Sequence, residues 1–154
     1  MKSDPQPVLE LFEVQKRYLV PLFQRQYIWT QDGQWEPLWD DIERKVLDRL
    51  RWHELGGGTS RPDPAIKASP GEHFLGAIVL DQHPVSGREV QARIIIDGQQ
   101  RLTTCQVFLA ALRDVASPRG VDEYADVLGR FLTNSGIMAD EAVERYKVWP
   151  SRYD

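Results

Sequence analysis

Between residues 93 and 104 the chain reads Arg93-Ile-Ile-Ile-Asp97-Gly98-Gln99-Gln100-Arg101-Leu102-Thr103-Thr104, an apolar run that passes through a glycine into a helical pattern. A strand that turns directly into a helix gathers at one point the first helical amides, which have no partner within the helix, and about half a positive charge of macrodipole. That geometry binds anions, phosphate above all. Gly98 would let a phosphate approach the backbone, and Arg101, one turn in, could add a bidentate guanidinium. Asp97 at the strand end could hold Mg2+ or orient a water, with Gln99 and Gln100 positioning that water without adding charge. Phosphoryl chemistry needs little beyond positioning and charge neutralisation, so Asp97, Gln99, Gln100 and Arg101 form a sufficient catalytic set. The segment is neither a Walker loop nor a dinucleotide fingerprint, and composition equally allows Asp97 as a helix N-cap with Arg101 a surface residue paired to it.

A second candidate is Gln24-Arg25-Gln26-Tyr27-Ile28-Trp29, one cation and two aromatics just after Pro21. Stacking of Tyr27 or Trp29 on a base would be worth about 1 to 3 kcal/mol, with Arg25 on a phosphate. The competing reading is an aromatic pair packed into the core beneath a snorkelling arginine. His53, His73 and His83 lie in or beside unrelated loops without the spacing of paired helical ligands, which argues against a zinc or HNH-type nuclease centre in this chain. The single cysteine, Cys105, excludes an internal disulfide framework and a multi-cysteine zinc site, and reads as a small buried hydrophobe on a helix.

The elements that position these residues follow from periodicity. Val8, Leu9, Leu11, Phe12 and Val14 share one face of a short helix that Pro7 starts, and Tyr18 to Leu22 reads as a short extended segment. Thr30, Asp32 and Gly33 make a turn that caps a longer helix from Gln34 to about Trp52, with Pro37 in its first turn. Residues 56 to 72, rich in glycine and proline, read as an exposed mobile loop, either a lid or a surface insertion. Phe74 to Leu80 and Val90 to Ile96 read as two central strands joined by a hairpin-like turn, and Ile94, Ile95 and Ile96 in a row imply burial on both faces. Gln99 to about Ala116 reads as a helix buried on much of its circumference and stopped by Ser117, Pro118 and Gly120. A helix from Val121 to about Leu132 and a short strand from Tyr146 to Trp149, ended by Pro150, complete an α+β class: a small mixed β-sheet flanked by helices.

A chain of 154 residues with 42% hydrophobic and 27% charged residues fits one soluble globular domain. The longest apolar runs fall far short of the roughly 20 residues a bilayer needs, and Met1-Lys2-Ser3-Asp4 has no apolar signal core, so a cytoplasmic protein without membrane partners is expected. A net charge of -4 makes the chain no general electrostatic binder of nucleic acid, and any DNA contact would be local. The modest basic concentrations at Arg44, Lys45, Arg49, Arg51 and at Arg145, Lys147, Arg152 read as solvated helix faces.

Three blocks, Pro21-Leu-Phe-Gln24-Arg25-Gln-Tyr27-Ile-Trp29, Phe74-Leu75-Gly76-Ala-Ile78-Val79-Leu80 and Ile95-Ile96-Asp97-Gly98-Gln99-Gln100-Arg101-Leu102-Thr103-Thr104, occur in the order that resembles the GmrSD-type family. That family's N-terminal domain belongs to modification-dependent restriction endonucleases, and the chain is similar also to SspE-type phage-defence effectors, which respond to phosphorothioate DNA. The likeness covers most of residues 8 to 112, and its Asp-Gly-Gln-Gln-Arg block is specific. It implies a ParB/sulfiredoxin-like fold and a nucleoside triphosphatase motif at Asp97 to Arg101, with ATP, GTP or CTP as substrate, while Mg2+ at Asp97 is expected from the chemistry alone. Gln24, Arg25, Gly98, Thr103 and Thr104 would then bind nucleotide, and Arg25, Tyr27 and Trp29 would shape the pocket or face modified DNA. Family members continue into a helical region and a C-terminal HNH-like nuclease, so a sequence ending at Asp154 reads as a piece of a longer protein whose nuclease lies outside it. The loop from 56 to 72 is longer than the family pattern needs. The alternative is a non-catalytic module that recognises a DNA modification, in which the Asp97 turn is structural.

Overall fold

Tyr18, Ile95 and Val148 come from three separate stretches of chain, and their burial against one another builds the sheet. In the computed structural model, which describes residues 5–57, 71, 73–136, 138 and 140–149, the order is α1 (Val8–Glu13), β1 (Arg17–Leu19), a π-helical turn (Gln31–Trp35), α2 (Glu36–Glu54), β2 (Val79–His83), β3 (Ala92–Asp97), α3 (Gln99–Ala116), a 3-10 turn (Ser117–Arg119), α4 (Asp122–Leu132), α5 (Glu141–Glu144) and β4 (Val148–Trp149). The strands lie in the order β2-β3-β1-β4. β1 runs parallel to both neighbours, with Tyr18 opposite Arg93 and Val148, and β2 pairs antiparallel with β3. The class is therefore α+β, a small mixed sheet with helices.

The described residues fall into two compact units, one made of residues 1–27 and 76–154 and the other of Ile28–Leu75. In the first, Phe12, Tyr18, Val20, Ile95, Leu102, Leu109, Leu132 and Val148 form the core. Phe12 and Tyr18 meet edge to face at 6.0 Å, and the Tyr18 hydroxyl donates to the Leu11 carbonyl at 2.7 Å. In the second unit Thr30 caps the π-helical turn by accepting from the Gly33 amide at 3.3 Å, as the sequence predicts, and α2 follows with its proline in the first turn. Among the described residues no helix is long and apolar enough to cross a membrane.

Five expectations need correction. The strand predicted from Phe74 begins only at Val79, and Phe74 is 79% exposed. β2 is an edge strand, not a central one. Ile95 is fully buried but Ile96 is half exposed, so β3 is not buried on both faces; β-branched residues report extended backbone, whereas covering of a face depends on which elements land there. α3 buries Leu102, Thr104 and Leu109 but leaves Val107 and Val115 half exposed, because its packing comes chiefly from α4 and the sheet on one side.

Lys147 is the fifth, since it is fully buried and not part of a solvated face. Its ammonium donates to the Val14 carbonyl at 2.8 Å and to Asn134 Oδ1 at 3.1 Å. Asn134 in turn donates to the carbonyls of Glu144 and Lys16, and the Glu144 carboxylate accepts from the Val90 amide. A buried charge survives only when hydrogen-bonded in this way, and burial still pulls the Lys147 ammonium down to about 8. The short helix α5, which carries Glu144, has too few residues for its period to be read from sequence. Most of the 56–72 stretch, and Pro150, lie outside the described residues.

Candidate functional site

β3 ends at Asp97, Gly98 takes a left-handed conformation with φ 97°, and α3 starts at Gln99. Positive φ is open to glycine and strained for other residues. The N-cap is thus Gly98 and not Asp97, which is free of that task and pairs its carboxylate with Arg101, Oδ2 to Nη2 at 3.1 Å. The first intrahelical bond runs from the Leu102 amide to the Gly98 carbonyl at 3.0 Å, so the residues from Gln99 to Arg101 form the first turn of α3, ahead of its own hydrogen-bond ladder.

Gly98 is buried, and a Cβ there would lie 2.9 Å from Ile78 Cγ1. The missing side chain therefore makes room for Ile78 as well as permitting the turn. Gln99 and Gln100 are 5% and 8% exposed, so the helix end sits within the protein, whereas the adjoining Asp97 side chain is 66% exposed. Arg101 is about a third exposed; its Nη2 also donates to the Ala77 carbonyl, and its Nε is buried with no hydrogen-bond partner among the described residues.

Residues 24 to 27 wrap onto this turn. Gln24 donates through Nε2 to the carbonyls of Ile95 at 2.5 Å and Ile96 at 3.1 Å, Gln100 Nε2 donates to the Gln26 carbonyl at 3.1 Å, and the hydroxyls of Tyr27 and Thr104 meet at 2.8 Å. The two motifs singled out from sequence are thereby brought together around the first turns of α3. Arg25 is exposed on the same segment. Thr103 Oγ1 is buried without a hydrogen-bond partner among the described residues, and Trp29 belongs to the Ile28–Leu75 unit. Because Thr104 is fully buried, Tyr27→Phe should destabilise the chain by about 1 kcal/mol, the ordinary worth of a hydrogen bond. Urea unfolding checks this, with exposed Arg25→Ala expected within about 0.5 kcal/mol of the wild type.

The sequence reading assigned no role to Gly76 and Ala77, which the structure places against Arg101. The available signal was a glycine inside an otherwise apolar, strand-like run, which marks a close backbone approach. Among the described residues no group of three or more His, Cys, Asp or Glu side chains could hold a metal ion. The arrangement offers one carboxylate, one guanidinium and a helix N-terminus, a set suited to a phosphorylated ligand that brings its own negative charge. A family model described as GmrSD restriction endonuclease, N-terminal domain, matches residues 8–154. No curated protein matches the chain.

Proposed function

Since the chain belongs to the GmrSD restriction endonuclease N-terminal domain family, we propose that its Asp97 to Arg101 turn binds and hydrolyses a nucleoside triphosphate as the sensor of a modification-dependent DNA restriction system. The observation that carries the reading is the Asp97–Arg101 pair, 3.1 Å apart at a strand-to-helix turn. Arg101 would exchange the Asp97 carboxylate for phosphate oxygens, to which its planar fork is matched. Asp97, so released, is the residue that would hold Mg2+, an ion usually bound by one or two carboxylates together with substrate phosphates. The ion would neutralise phosphate charge. Gln24 and Gln100, bound to the Ile95 and Gln26 carbonyls, fix the walls, and Gln99 lies at the helix end where a water would be oriented.

In this reading Gly98, Thr103 and Thr104 shape the nucleotide site, Arg25 faces nucleotide or DNA, and a nuclease outside this chain acts on modified DNA in the cytoplasm. A relation to ParB/sulfiredoxin-like folds belongs to the same proposal. The test is phosphate release from ATP, GTP and CTP with Mg2+, with and without modified DNA, alongside calorimetric titration of each nucleotide. Turnover of one of them is expected. Neither binding nor hydrolysis of any would sink the reading, and DNA binding that survives Asp97→Ala but fails with Arg25→Ala or Tyr27→Ala would favour a non-catalytic recognition module.

A further inference from the structure

The Arg101 guanidinium is oriented from outside its own helix. Gly76 has φ +105°, and a Cβ at that position would fall 3.3 Å from Cδ and Nε of Arg101 and 3.4 Å from Cζ. Ala77, the next residue, accepts a hydrogen bond from Nη2 through its carbonyl, and Ile78 fills the space over Gly98. Three consecutive residues are thus fitted to the Asp97–Arg101 turn. Arg101 Nε has no hydrogen-bond partner among the described residues, so Nε does not set the rotation of the guanidinium plane. The two acceptors on Nη2 and the surface on which the side chain lies set it instead.

We infer that Gly76 and Ala77 are positioning residues for Arg101: the bare Cα of Gly76 is the floor under the side chain, and the Ala77 carbonyl fixes the plane of the fork. The inference rests on reading Arg101 as the phosphate-binding group. When a phosphate replaces Asp97 as its partner, the floor and the carbonyl contact persist, and the fork meets the ligand already oriented. Pre-orientation spares the ordering cost that a long, freely rotating side chain pays on binding.

Gly76→Ala tests this, because the added methyl crowds the Arg101 stem and the positive φ is strained for alanine. With nucleotide, kcat/KM is expected to fall about 10-fold or more, and Gly76→Ala combined with Arg101→Ala should be no slower than Arg101→Ala alone. Losses that multiply in the double variant would overturn the proposal. A second readout does not depend on turnover. The Arg101 Nε–H signal in nitrogen-15 NMR, assigned by its absence in Arg101→Lys, should shift in Gly76→Ala and exchange with solvent about 10-fold faster. Gly129→Ala, where nothing lies within 4 Å of the new Cβ, should leave it unchanged. An unmoved signal in a folded Gly76→Ala chain overturns the inference. Should that variant not fold, exchange of Nε–H in the wild-type chain decides: protection supports the positioning role, and exchange as fast as in free arginine refutes it. Absence of turnover in the wild type would count against the nucleotide reading, while the NMR result would still decide the role of Gly76.

Discussion

Arg101→Ala is expected to lower nucleotide turnover by roughly 100-fold or more, the scale on which loss of one preorganised charge-stabilising donor acts. Arg101→Lys should restore little of it, since an ammonium is a point charge that cannot reproduce the planar two-nitrogen fork. Asp97→Ala should be impaired to a similar degree through loss of the carboxylate proposed to hold Mg2+. Both effects are separable from folding. The Asp97 side chain is 66% exposed, and an ion pair so placed is worth under about 1 kcal/mol, so urea midpoints should scarcely move in Asp97→Ala. A steady-state phosphate assay beside a denaturation curve therefore tells chemistry from structure. An Arg101→Ala chain that turns over nucleotide at the wild-type rate would remove Arg101 from the catalytic set.

The second large effect is on stability at alkaline pH. Burial lowers the Lys147 ammonium from 10.5 to about 8. Between those values the unfolded chain holds a proton that the folded chain does not, so stability rises with pH through this window, by about 3 kcal/mol if Lys147 acted alone. Two other buried groups act in the opposite sense. Burial raises Cys105 from 9.0 to about 11 and, against a smaller lowering by Arg93, raises Tyr18 from 10.0 to about 12. Their unfolded forms ionise first, so stability falls from pH 9 on account of Cys105 and from pH 10 on account of Tyr18. The expected profile climbs from pH 8 to 9, is nearly level to pH 10 and declines beyond. Urea midpoints across that range check it. Cys105→Ala should extend the climb to pH 10, and Lys147→Met should abolish the climb and leave only the decline. A profile in Lys147→Met that still rises between pH 8 and 9 would show that another group carries the effect.

Several of these features are legible in the sequence alone. Helix α3 runs from Gln99 to Ala116 in both the reading and the structure because its boundaries are set locally: a left-handed glycine starts it, and Ser117-Pro118 and Gly120 stop it. Pro7 ahead of α1 and the Thr30 cap ahead of α2 are equally local signals. The strand-turn-helix at Asp97 followed from the same reasoning, and the pairing of Asp97 with Arg101 is one of the two readings the sequence left open there.

What the sequence by itself determined, then, was where most elements begin and end and which residues carry charge or aromatic surface, since caps, turns and periodicity depend on neighbours a few positions apart. Only the tertiary structure decided which of them meet. The edge position of β2, the burial of Lys147 under Val14 and Asn134, the bonds from Gln24 to the end of β3 and the fit of Gly76 against Arg101 all join residues far apart in the chain. Hydrophobic pattern constrains such meetings to a face but not to a partner. The partner is chosen by the packing of the whole sheet and its helices, in which each contact is satisfied only if the others form.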